Sequence, residues 1–140
     1  MNKHLMLAAG LVSASAGCIL EDPFNKPYAV QVGTVQVFRD YDTTPFYEAP
    51  DVSIVVDINN TYIIVTDEVQ DNWNPSFSDA SSLTIPEGST MQVGAFDGDA
   101  GSFEIIIECS WPSLSSDILI DGIATCEDSN ARIDVLFTEL

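Results

Sequence analysis

Basic side chains are nearly absent from this sequence. Of 140 residues only Lys3, Lys26, Arg39 and Arg132 carry a fixed positive charge, against 22 Asp and Glu, and the formal net charge is −18. Such a surface repels phosphate backbones and anionic lipid headgroups unless a cation intervenes. Nucleic-acid binding is thereby excluded. Histidine is almost missing too: His4 stands alone, close to the start of the chain. Beyond it there is no imidazole for a Ser-His or Cys-His catalytic pair, or for a histidine-ligated zinc site. Long apolar runs are also lacking, and none approaches the roughly 20 residues that a membrane helix needs.

Residues 1–17 have the layout of a bacterial secretory signal. Lys3 supplies the positive start, residues 5–12 a short apolar stretch, and Ser13-Ala14-Ser15-Ala16-Gly17 the small residues before Cys18. Two cleavage readings compete. A small-residue site, Ala14-x-Ala16, would be cut before Gly17. A lipobox would be cut before Cys18, whose thiol then carries the lipid. Ala16-Gly17-Cys18 resembles the bacterial lipoprotein pattern, although Ser15 stands where that pattern usually has Leu. The chain holds three cysteines, and an odd thiol in an exported protein requires an explanation. With Cys18 lipidated, Cys109 and Cys126 remain as one pair suited to an oxidising compartment. A bridge closing so short a loop is worth on the order of 3 kcal/mol. The alternative leaves Cys18 a free thiol after ordinary cleavage. The expected location is the cell envelope, at the outer membrane or cell surface, with a lipid anchor in the membrane.

Residues 18–27, with Pro23, Asn25 and Pro27, read as a tether, and residues 28–140 as one domain long enough for a real core. Within that domain the apolar pattern has period two or comes in short runs, with no sustained helical stripe. Strands are expected at residues 30–38, 52–56, 62–66, 83–85, 91–96, 103–109, 118–120, 123–126 and 133–138. Turns are expected at 57–60, at Pro86-Glu87-Gly88 and around Pro75. About eight short strands separated by turns indicate an all-β fold, an antiparallel β-sandwich. Trp73 and Phe77 read as core or edge packing and Trp111-Pro112 as a loop anchor.

Acids gather where those strands end. Asp40 and Asp42 follow the first strand, Asp51 immediately precedes the second, and Asp97 and Asp99 follow the 91–96 strand with Glu104 beyond. Calcium takes about six to eight oxygens, and carboxylates can crowd around it because the ion cancels their repulsion. An EF-hand loop beginning at Asp97 does not fit. Glu108 falls at the twelfth position, but Ser102 replaces the sixth-position glycine, Gly101 replaces a ligand, and residues 105–107 read as strand.

The order of features from Ala49 to Gly101 resembles the C2 domain family, the calcium- and phospholipid-binding β-sandwiches. Asp51-Val52-Ser53-Ile54 looks like that family's Asp-Pro-Tyr-Val strand start. Asp71-Asn72-Trp73-Asn74-Pro75-Ser76-Phe77 is similar to its Asn-Pro-aromatic segment, with Ser78-Asp79 supplying the acid. Residues 86–99, ending in Phe96-Asp97-Gly98-Asp99, look like the strand leading to its Asp-x-Asp loop. The resemblance implies calcium ions shared between two loops at one end of the sandwich. It makes Asp51 the second aspartate of the first loop and Asp97 and Asp99 the pair of the third. Asp42 is the candidate for the first loop's other aspartate, with Asp40 or Glu48 as alternatives, and Glu104 for the fifth ligand.

The function expected is that of a lipid-anchored binding module. Its acidic loops would take calcium and thereby engage a membrane headgroup or a protein partner. A metal-free structural or adhesive envelope lipoprotein is the alternative, and a carboxylate-pair hydrolase a weaker one. No enzymatic activity is expected.

Overall fold

The structure, a computed structural model, describes residues 21–39, 49–99 and 102–140, the side chains of Asp99 and Ser102 excepted. Eight strands and one short helix follow in order: β1 (Lys26–Val37), β2 (Val52–Ile58), β3 (Thr61–Val65), β4 (Ala80–Ile85), β5 (Met91–Asp99), β6 (Ser102–Trp111), α1 (Ser116–Asp121), β7 (Ile123–Glu127) and β8 (Ala131–Glu139). They form two four-stranded sheets, β4-β1-β8-β7 and β3-β2-β5-β6, with every pairing antiparallel. The expected all-β sandwich is the fold.

Alternation places the core. In β2, Val52, Ile54, Val56 and Ile58 are buried, while Ser53, Val55 and Asp57 between them face outward. Met91, Val93 and Ala95 of β5 continue this layer, and Ile133, Val135 and Phe137 of β8 meet it from the other sheet. Each such side chain contributes roughly 1.5–3 kcal/mol by leaving water. A register shift in β1 between Val32 and Val35 inserts one extra residue against β8. That bulge resets the parity, so Val30 and Val32 before it and Val35 and Val37 after it all point inward. Trp73, Phe77 and Trp111 pack half-buried against this core.

The β2–β3 turn is tighter than expected. It consists of Asn59 and Asn60 alone, with φ of 56° and 59°, the type I′ geometry that asparagine tolerates and that matches strand twist. Asn59 then holds the hairpin to the neighbouring turn, its Oδ1 accepting the Thr90 N–H at 2.9 Å and its Nδ2 donating to Ser89 Oγ at 3.1 Å.

Residues 118–120 are helical, which corrects the strand expected there. Ser115 caps α1 by accepting the Ile118 N–H, Asp117 lies in the first turn, and Gly122 ends the helix with φ of 72°. These start and stop signals outweigh three apolar residues in a row. The turn buries Leu119 and leaves Ile120 55% exposed, an outcome a core-facing strand would not give.

Cys109 on β6 and Cys126 on β7 form a disulfide, with Cα atoms 5.7 Å apart. It joins an edge strand of one sheet to an edge strand of the other, on top of the burial that already holds the two together.

Candidate functional site

The antiparallel register brings together two of the acids singled out by the sequence. Val52 lies opposite Asp97, so Asp51, one residue before β2, abuts the end of β5. Asp97 continues the inward row of Met91, Val93 and Ala95 and is only 3% exposed. A carboxylate so buried needs hydrogen bonds. Its Oδ1 accepts the Asp51 N–H at 2.9 Å, while the Gly98 N–H donates to the Asp51 carbonyl at 2.9 Å. Those bonds let β5 run straight through Asp97-Gly98-Asp99, where a loop is expected to begin after residue 96.

Asp51 has its own clamp. Its Oδ1 accepts the Asp71 N–H at 2.9 Å, from a residue with φ of 50°, a left-handed conformation that aspartate tolerates. The link carrying Asp71 is tied down on both sides. Val69 and Val52 exchange two main-chain bonds of 2.9 Å, and the Asn72 N–H donates to the Pro50 carbonyl at 3.1 Å.

The same link delivers Glu68, which no sequence pattern singles out. Its carboxylate lies against Gly98, in the place a β-carbon would occupy on any other residue. Glycine is needed here for that close approach rather than for a special φ. The available signal is the glycine between two acids, but the partner thirty residues upstream is invisible to a period-two pattern.

Glu104 stands opposite Asp97 across β5 and β6 and is exposed. Like charges directly opposite in a sheet repel, and β2, β3, β5 and β6 contain no Lys or Arg to offset them. The Asp99 backbone pairs with Ser102, and its side chain lies outside the description. Asp42, its alternatives Asp40 and Glu48, and Cys18 also lie outside the described residues.

Calcium can be tested against this geometry. The Asp51 nitrogen sits 2.9 Å from Asp97 Oδ1 and four bonds from its own carboxylate oxygens, which keeps the two carboxylates within roughly 8 Å. An ion held at about 2.3–2.6 Å spans at most about 5 Å between two ligand oxygens, so the pair can share one only through their nearer oxygens. Each carboxylate has about four lone-pair sites, and each accepts at least one main-chain N–H. Among the described residues, however, no three acidic, thiol or imidazole groups converge as a metal site requires. The described residues therefore fit a calcium site in part, through Asp51 and Asp97.

Comparison with known proteins identifies the fold. No protein-family model and no curated protein sequence matches the chain. Solved structures do match. A C2 domain superposes with a TM-score of 0.64 over 82% of this chain and 99% of its own length, at 13% identity. The calcium-bound pair of C2 domains of Extended-Synaptotagmin 2 gives 0.66 at 11% identity, over 83% of this chain and 46% of that one. Human GIVD cytosolic phospholipase A2 gives 0.61 at 13% identity, over 84% of this chain and 18% of the enzyme. The chain is a C2-like β-sandwich. It spans less than half of the second of these proteins and under a fifth of the third.

Proposed function

We propose that this chain is an exported, lipid-anchored C2-like binding module that uses its acidic loops to hold calcium and so engage a membrane headgroup or a protein partner. The observation that carries the reading is the Asp51–Asp97 junction: two carboxylates at one end of the sandwich, joined through the Asp51 N–H. The calcium-bound state of a structural neighbour supports it. Asp51 and Asp97 would hold the ion, with Asp42, Asp99 and Glu104 completing the set. Calcium, when bound, supplies the positive charge of which this chain has so little. The N–H groups of Asp51 and Asp71 orient the two described carboxylates. Export and the lipid at Cys18 rest on the layout of residues 1–18 and on cysteine parity, and nothing in the reading calls for catalysis.

Calcium titration followed by thermal melting tests the site. A ligand that binds only the folded state adds about 2.7 kcal/mol at a hundredfold excess over its dissociation constant. A domain of this size should then melt roughly 10 °C higher. Co-sedimentation with phosphatidylserine vesicles, with and without EGTA, tests the partner, and equal binding in both arms would refute a calcium bridge.

One observation favours a second reading, a metal-free structural or adhesive module. Both described carboxylates already accept main-chain N–H groups, as they would if their task were to fix the loops. An unchanged melting temperature in millimolar calcium selects that reading.

A further inference from the structure

The two sheets turn different outer faces to solvent. On β4-β1-β8-β7 the outward positions are mostly polar, among them Gln31, Gln36, Ser82, Thr84, Thr125 and Thr138, with Ile123 and Leu136 the large apolar exceptions, close to the polar face usual for an antiparallel sandwich. On β3-β2-β5-β6 the outward rows are different. Val65, Val55 and Gly94 lie side by side; Ser53, Phe96 and Ile105 form the next row; and Phe103 follows opposite Gly98. Val65 and Ile105 are exposed, Phe103 is 76% exposed, and Tyr62 beyond them is 73% exposed. The Phe96 ring lies over Gly94, where a β-carbon would meet it at 2.9 Å. A groove of about 430 Å³ runs between Val55, Val65, Phe96 and Phe103. Apolar residues gathered on a solvated face at this density mark an interaction surface.

Charge decides what fits it. Asp57, Asp67, Glu68 and Glu108 surround the apolar rows, and the strands of the sheet have no basic side chain. A second copy would set acid against acid, and an anionic membrane would be repelled in the same way. We propose that this face docks a basic amphipathic segment of a protein partner, with apolar residues on Phe96, Ile105 and Phe103 and Lys or Arg meeting the acidic rim. The rim supplies encounter rate and orientation, and the apolar rows supply residence. The face borders the Asp97-Gly98-Asp99 segment, so the test is run in EGTA to keep calcium out of it.

The full chain is titrated with a synthetic peptide of alternating leucine and lysine. Controls are a serine–lysine peptide and a leucine–glutamate peptide, with affinity read by calorimetry and the contact face by amide chemical shifts. The leucine–lysine peptide should bind at least tenfold more tightly than either control, with shifts confined to β2, β3, β5 and β6. The double variant Phe103→Ser, Ile105→Ser should lose at least tenfold while melting as the parent does, since both side chains are exposed. Equal binding of the serine–lysine peptide would reduce the effect to bulk charge and overturn the proposal. So would shifts on the other sheet. Two further results would replace the occupant: a concentration-dependent dimer abolished by the double variant, or binding to phosphatidylglycerol vesicles in EGTA abolished by it.

Discussion

Among the described residues each sheet contains one buried aspartate, and the two are kept in different ways. Asp134 of β8, 5% exposed, accepts the Thr125 hydroxyl at 2.7 Å and faces Arg132, whose guanidinium lies 3.2 Å away. Its charge is answered by an opposite charge on its own strand. Asp97 of β5, equally buried, accepts a main-chain N–H and lies opposite another acid, Glu104. The strands around it contain no Lys or Arg. The first arrangement is complete within its sheet. The second takes no balancing charge from the strands of its own sheet. Local fixation and electrical neutrality are thus separate properties, and only the first sheet supplies both from its own strands.

The largest expected change comes from cutting the link between the sheets. Cys109→Ser with Cys126→Ser should cost about 3 kcal/mol, read as a fall of roughly 10 °C in melting temperature. Next is the contrast between the two aspartates. Asp134→Ala removes charged hydrogen bonds from Arg132 and Thr125 and should cost about 2 kcal/mol in urea unfolding. Asp97→Asn keeps the shape and relieves the repulsion from Glu104. Without calcium it should cost under about 1 kcal/mol, while abolishing any calcium-induced rise in melting temperature. Equal costs for the two would make Asp97 structural and erase the distinction. Glu104→Lys, placing a cation opposite Asp97, should add about 0.5 kcal/mol that fades as salt is raised.

The smallest effect is alkaline. Burial, reinforced by Glu139, pushes the Tyr28 hydroxyl above its ordinary value of 10.0, and hydrogen bonds to Glu21 and Glu139 raise Lys26 above 10.5. Raised values mean stability fully present below those ordinary values and lost as pH climbs through the folded ones. Tyr28→Phe should therefore flatten the loss of stability above about pH 10, measured by urea midpoints across that range.

The strands are legible in the sequence wherever side chains alternate between core and water, as in β2, β5 and β8, because that alternation is the folding force itself. Cysteine parity indicates the Cys109–Cys126 bridge once residues 1–17 are read as an export signal, since the export expected from them leaves few options for two thiols. The helix α1 is not legible, because Ile118, Leu119 and Ile120 satisfy either geometry and the decision lies with Ser115 and Gly122. The nearness of Asp51 and Asp97 follows from the likeness to C2 domains, because nothing in the local sequence sets the β2–β5 register. Glu68 and Asp71 escape a sequence reading for a related reason. Their positions are fixed by main-chain bonds from Val69 and Asn72, which any side chain could accompany.

β1 begins at Lys26, where the Leu140 N–H reaches the Pro27 carbonyl at 3.0 Å and Glu139 pairs with Lys26 at 3.0 Å. Its 12 residues then carry the chain roughly 40 Å to the opposite pole, where the Asp51–Asp97 junction lies. Were the proposed lipid at Cys18 to hold the chain, the attachment would enter at the Lys26 pole, and the acidic junction would lie at the far end of the sandwich from it. On that arrangement its natural counterpart is something across a gap, so the module's reach would decide what it meets as much as its chemistry.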